Sequence, residues 1–193
     1  MSLPVVARRH PLQERIAAVI LEAAARTLAR GGDRASMQDV AVEAGVARAT
    51  LYRYFPSRQA LVDEVGRLAA NDAGSRLRSA RLDQVPLEEG VARAVRALVE
   101  VGDLFIVLAR ERVRPDPDVF EVSLGAPLRG LVERGQNSGG IRNDVPSAWL
   151  IESLVGLVVS VLSTSPSMGR EDTIAIATSL FLEGATPKRH QVE

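Results

Sequence analysis

Along almost the whole chain, apolar residues recur at intervals of three and four, the spacing that lines one face of an α-helix, while strand-type alternation is scarce. From Leu12 to Arg30 the stripe runs through Ile16, Val19, Ile20, Ala23, Ala24, Thr27 and Leu28, and the GGD at Gly31 to Asp33 predicts its end. A short second helix is predicted from Ser36, where Ser36 and Asp39 form an acidic variant of the capping box. It buries Met37, Val40, Ala41 and Ala44 and stops at Gly45, the residue best suited to a left-handed C-cap. A third helix covers Ala47 to Phe55 and is closed by Pro56. Ser57 is placed to cap a long fourth helix from Arg58 to about Ser79.

After the joint RLDQVP the helices become longer and less polar. They are expected at about Leu87 to Val101, Asp103 to Val113, Val119 to Asn137, Ser147 to Thr164 and Arg170 to Gly184. RPDPD at Arg114 to Asp118 breaks the pattern. Gly125 and Pro127 predict a kink or split in the helix that contains them. The expected architecture is all-α, with a three-helix head in residues 1–57 and a second helical domain in residues 58–193 that begins with the long fourth helix.

Placing Ala47 to Phe55 at 100° per residue sorts an unusual run of tyrosines and arginines. Leu51 and Phe55 share an inward stripe, Ala49, Tyr52 and Arg53 fall opposite, Tyr54 flanks them, and Arg48 stands at the N-terminal end. An outward arginine can meet a phosphate or a guanine edge, a tyrosine hydroxyl the sugar-phosphate, and a small alanine a thymine methyl. A helix, a glycine turn and a second helix with such a face make a helix-turn-helix whose second member enters the major groove. The plainer reading is that the tyrosines cover a small core and the arginines are a solvated face; for LYRYF alone the two readings are evenly matched.

Charge and composition narrow the function classes. The 193 residues sum to zero net charge, but residues 1–81 hold 13 Arg against 8 Asp and Glu, and the remainder 11 basic against 16 acidic. Only the first part is therefore suited to a polyanion. There is no cysteine, which removes disulfides, thiolate metal sites and cysteine nucleophiles. His10 and His190 lie near opposite ends and are expected to be structural or solvated. With no histidine-centred triad, metal constellation or glycine-rich phosphate motif, no catalytic residue, metal or cofactor is expected. Trp149 to Ser163 is the most lipid-like stretch, yet it contains Glu152 and falls short of the ~20 residues a span requires. The N-terminus has no signal-peptide pattern, so a cytoplasmic location without membrane attachment is expected.

From Arg15 to Val65 the chain resembles the DNA-binding region of the tetracycline-repressor (TetR) family of bacterial regulators. The resemblance is carried by Ser36, Val40-Ala41, Ala44-Gly45-Val46, Thr50-Leu51-Tyr52, Tyr54-Phe55, Arg58 and Leu61. It covers roughly a quarter of the chain; the rest agrees in length and helical character. One departure is Ala47, where many relatives have serine; loss of such a cap costs about 0.5–2 kcal/mol. The resemblance implies groove contacts from Arg48, Ala49, Thr50 and Arg53. It implies backbone contacts from Tyr52, Tyr54, Arg58, Ser36 and Met37, with Arg8 and Arg9 as an N-terminal arm.

The expected partners are double-stranded operator DNA, a second copy of the chain and an unidentified small-molecule effector. The helix from Ser147 is apolar nearly all round, through Leu150, Ile151, Leu154, Val155, Leu157, Val158, Val159, Val161 and Leu162. Gly156 and Ser160 allow close approach, and the last helix adds Ile174, Ile176, Ala177, Leu180 and Phe181. These are either a two-fold interface or the core helices of a monomer. For the effector pocket that the resemblance implies, Phe105, Leu108, Phe120, Leu124 and Trp149 are candidate linings, and Asp103, Arg110, Glu111 and Arg112 candidate polar partners. Ordinary core packing and surface charge account for these residues as well. A helical adaptor, a ligand-binding protein without an operator and an all-helical enzyme are the alternatives.

Overall fold

The computed structural model describes residues 11–31, 34–111, 116–163 and 169–187, with main chain alone at 109 and 110. The expectations attached to Arg8, Arg9, His10, Arg112 and His190, and to the side chain of Arg110, fall outside these residues.

Three helices form the head: α1 (Pro11–Gly31), α2 (Met37–Glu43) and α3 (Arg48–Tyr54). The alanine-rich inner face of α1, with Ile20 and Leu28 at its centre, packs on α2, and Met37, Val40, Ala41, Leu51 and Phe55 complete the core. The α2–α3 turn is held at both ends of α2. Ser36 N donates to Asp39 Oδ2 at 2.8 Å while Asp39 N donates to Ser36 Oγ at 3.2 Å, a reciprocal capping box. At the other end Gly45 takes φ +65°. Its N–H donates to the Val42 carbonyl and that of Val46 to the Ala41 carbonyl, each at 3.0 Å, the Schellman arrangement.

Ser57 caps α4 (Arg58–Ser79), its Oγ accepting from Ala60 N at 3.1 Å. At ~1.5 Å per residue this helix runs through both halves of the molecule. Leu61, Val62 and Val65 belong to the head core, whereas Ala69, Ala70, Ala73 and Leu77 belong to the second core. The head core therefore takes in the first two turns of α4, beyond the boundary at residue 57 that the sequence suggests.

A short 3₁₀ turn at Leu82–Gln84 leads into α5 (Leu87–Val99) and α6 (Asp103–Arg110). Then come α7 (Pro117–Phe120), a π turn at Glu121–Gly125, and α8 (Ala126–Asn137). The last two helices are α9 (Ser147–Ser163) and α10 (Arg170–Ala185). The expected kink near Gly125 and Pro127 is this π turn. Main-chain angles stay helical through it, and Ala126 N donates five residues back to the Glu121 carbonyl. A proline ring crowds the carbonyl four residues before it, here that of Ser123, and the widened turn accommodates that demand without breaking the helix.

The second core gathers α4, α5, α6, α8, α9 and α10. The 137–146 loop is tied down by Gln136, whose Nε2 donates to the carbonyls of Arg142 and Val145, both at 2.9 Å. No helix among the described residues is long and apolar enough to cross a membrane.

Two outcomes test the geometry of the turn. A Cβ at Gly45 meets nothing within 4 Å, so Gly45→Ala suffers only the left-handed backbone penalty. Its chemical-denaturation midpoint should correspond to a loss of about 1–2 kcal/mol with an unchanged m-value. Asp39 is held below the ordinary aspartate value of 3.8, chiefly by the main-chain hydrogen bond from Ser36 and then by its hydroxyl. A depressed carboxylate stabilises the fold above its unfolded value, and that contribution disappears as pH falls through the folded one. Between pH 6 and pH 3 the wild type should therefore lose more stability than Asp39→Asn; equal losses would exclude this cap as a source of acid sensitivity.

Candidate nucleic-acid interface

Local sequence divides α3 into two faces. Leu51 is fully buried and Phe55 is 3% exposed, anchoring the helix to the head. Arg48, Ala49, Tyr52 and Arg53 are exposed on the other side, and Thr50 and Tyr54 lie half-buried at the margins. Tyr54 packs against the head core along one edge.

The exposed aromatics are partnered with the arginines. Arg48 Cζ lies 5.4 Å from the Tyr52 ring centroid, one helical turn on, and Arg53 Cζ lies 5.5 Å from that of Tyr54. Each stack contributes roughly 0.5–1 kcal/mol at a solvent-exposed site. More important here, it narrows the guanidinium's rotamers without consuming an N–H group in an ion pair. Neither Arg48 nor Arg53 enters an ion pair among the described residues. The face is therefore small at its centre, cationic and hydroxylated at its edges, and rigidly backed by Leu51 and Phe55.

At the start of α2, Ser36 is exposed, though its hydroxyl is engaged with Asp39. Met37 is different: the residue is 8% exposed and belongs to the head core, so it offers little surface to a partner. α3 itself begins without a side-chain cap at Ala47. Further along, Glu43 receives Arg26 at 3.0 Å and Arg30 at 3.3 Å, which ties the α2 C-terminus to α1.

Arg58, expected at a phosphate, has its guanidinium engaged within the chain and its side chain 33% exposed. Nη2 and Nε meet Glu111 Oε1 and Oε2 at 2.5 and 3.3 Å, and Nη1 donates to the Ala35 carbonyl. Glu111 is among the expected polar partners of the effector pocket. No local signal could have joined it to a residue 53 positions earlier.

The candidate pocket residues separate. Phe105, Leu108 and Leu124 are buried in the second core, with Phe120 packed against it. Trp149 is 69% exposed on α9 and does not join them, because it lies on the solvent side of a turn whose Leu150 and Ile151 face the core. Grooves of about 610, 450 and 270 Å³ lie along α4–α5, along α9–α10 and beside the 3₁₀ turn. None of the three is lined by those five residues.

The candidate dimer residues also divide. Leu150, Leu154, Val158, Ile174, Ala177 and Phe181 are buried within the single chain, whereas Leu157 and Val161 are half-buried. One side of α9 is thus consumed by the chain's own core. The uncovered side presents Trp149, Gly156, Leu157 and Ser160, next to Ile176 and Leu180 of α10.

Since α3 has no N-terminal side-chain cap, Ala47→Ser should stabilise the protein by about 0.5–2 kcal/mol in thermal or chemical unfolding. An unchanged midpoint would mean that the first turn is already satisfied.

Comparisons with known proteins agree with this geometry. Residues 20–65, which span α2 and α3 together with parts of α1 and α4, match the model of the bacterial regulatory proteins of the tetR family. The transcriptional repressor LfrR of Mycolicibacterium smegmatis is 26% identical over 141 residues, covering 71% of this chain and 72% of its own. The regulator YhgD of Bacillus subtilis is 25% identical over 178 residues, covering 85% and 93%. The crystal structure of LfrR with proflavine superposes with a TM-score of 0.73 at 21% identity, over 90% of this chain and 99% of the other, a likeness of fold. A helix-turn-helix with one face of α3 exposed, a family match over that same segment and a shared fold over nearly the whole length converge on one conclusion: the chain carries, at residues 20–65, the segment that defines the tetR family of bacterial regulatory proteins, on a TetR-like fold.

Proposed function

We propose that this regulator is a repressor that binds a near-palindromic operator as a homodimer and leaves it when a small molecule binds the second domain. The observation that carries the reading is the outward face of α3. Arg48, Ala49, Tyr52 and Arg53 project from a helix whose opposite side is sealed into the head. Such a helix fits a major groove, with arginine as the principal reader of guanine and tyrosine on the backbone. Thr50 would contribute from the margin. Ser36 and the main chain of Met37 would approach phosphates at the start of α2.

A single head reads too few base pairs to define a site. Two copies related by a two-fold axis place their α3 helices one helical turn (~34–36 Å) or a multiple apart. The uncovered apolar side of α9 and α10 supports that pairing. Trp149 and Leu180 are more than half exposed there, beside a groove of about 450 Å³ that Leu150, Leu157 and Phe181 help to line. Exposed apolar surface of this kind marks an interaction site. The repressor sense and the small-molecule effector are supported by the likeness to LfrR, a repressor whose structure has been solved with proflavine. The second core, built around Phe105, Leu108 and Leu124 with Phe120 beside it, is the site we assign to the effector. An effector acts there by favouring a conformation with different head placement.

Binding to DNA from upstream of its own coding region, titrated with salt, tests the reading. Affinity should fall linearly on logarithmic axes through counterion release, and protection should cover a near-palindrome. Arg48→Ala should cost about 1–3 kcal/mol of operator affinity, and Tyr52→Ala should weaken binding as well, with circular dichroism unchanged. Folded variants that bind as tightly as the wild type would overturn the placement of α3 in the groove.

A further inference from the structure

Arg58 joins three parts of the molecule that are distant in sequence. It stands in the first turn of α4, its Nη1 donates to the carbonyl of Ala35 just before α2, and its other two nitrogens grip the carboxylate of Glu111 just after α6. The forked contact uses both carboxylate oxygens, the geometry that distinguishes arginine from lysine. The two side chains are 33% and 13% exposed, so Glu111 is mostly withdrawn from water. A carboxylate following the C-terminus of a helix is poorly placed in the field of that helix, which makes the opposing cation more than decoration.

The position of the clamp gives it its role. α6 is shared between the two cores: Val107 is fully buried among head residues, while Phe105 and Leu108 are buried among those of the second domain. Apolar packing of one short helix resists separation of head and body but fixes rotation between them weakly, because it has no direction. A forked ion pair combined with a carbonyl contact has direction and limits that rotation.

Building on the operator reading above, we propose that Arg58 is a positioning residue for operator recognition: together with Glu111 it sets the angle of the α2–α3 head against α6, and it does not neutralise a DNA phosphate. In a two-fold dimer this angle determines whether both reading helices meet their half-sites in register.

Operator affinity, measured across a salt series for wild type, Glu111→Gln, Arg58→Gln, the double variant and Arg58→Lys, tests the proposal. With a clamp, Glu111→Gln weakens binding on the order of tenfold, within the range for coupled contacts, while the slope against salt stays at the wild-type value. The double variant then loses no more than either single one. Arg58→Lys loses a similar amount, since one ammonium cannot hold both partners in the same geometry. A phosphate contact gives the opposite results: Glu111→Gln binds as well as wild type or better, Arg58→Gln lowers the salt slope by about one, and Arg58→Lys stays near wild type. Those results would overturn the clamp and leave operator binding standing. A wild-type protein that binds no site at any salt would overturn the operator reading and the clamp's part in it together. Should Glu111→Gln fail to fold, the Arg58→Lys comparison decides the matter alone.

Discussion

One short helix belongs to two hydrophobic cores, and the remaining architecture is arranged around that constraint. α6 places Val107 among the residues of the head and Phe105 and Leu108 among those of the second domain. α4 makes the same passage lengthwise, with Leu61, Val62, Val65 and Leu68 on the head core and Ala69 onward in the second. A head of one long helix and two of only seven residues has little apolar surface with which to support itself. Borrowing two turns of α4 and one face of α6 gives α3 a firm base. It also means that the orientation of the reading face is governed by packing that extends well outside the helix-turn-helix.

At the reading face the physical problem is to hold cationic side chains ready without committing them to carboxylates. Arg48 and Arg53 are steadied by tyrosine rings, a partner that restricts motion but consumes no N–H group. Arg26 and Arg30, away from that face, are instead drawn onto Glu43. That carboxylate is lowered, first of all by its hydrogen bond from Arg26. The same residue type is thus held in an ion pair on α1 and against a ring on α3, according to whether an acid or an aromatic stands beside it.

In the second domain the apolar helices have a divided loyalty. Leu154 and Val158 are sealed inside, yet Trp149, Leu180 and Ile176 remain in contact with solvent. Exposed large apolar side chains on neighbouring helices are surface that a single copy of the chain leaves uncovered. Phe105, Leu108 and Leu124 are all buried in the second core, and none of them lines the grooves along α4–α5, along α9–α10 or beside the 3₁₀ turn.

Much of the local structure was legible in the residues. Ser36 with Asp39, Gly45, Pro56 and Ser57 mark the ends of α2, α3 and α4, because capping and turn chemistry act over three or four residues. The 3.6-residue period placed Leu51 and Phe55 inward and Tyr52 and Arg53 outward for the same reason. Gly125 with Pro127 announced an irregularity, though not that the helix would absorb it as a π turn. What tertiary structure decided was which residues meet across long separations. It turned Arg58 to Glu111, left Trp149 outside the core and chose which side of α9 would be buried. Periodicity reports that a face is apolar, whereas the neighbour that covers it, or the acid that claims a cation, is set by how distant helices come together in space.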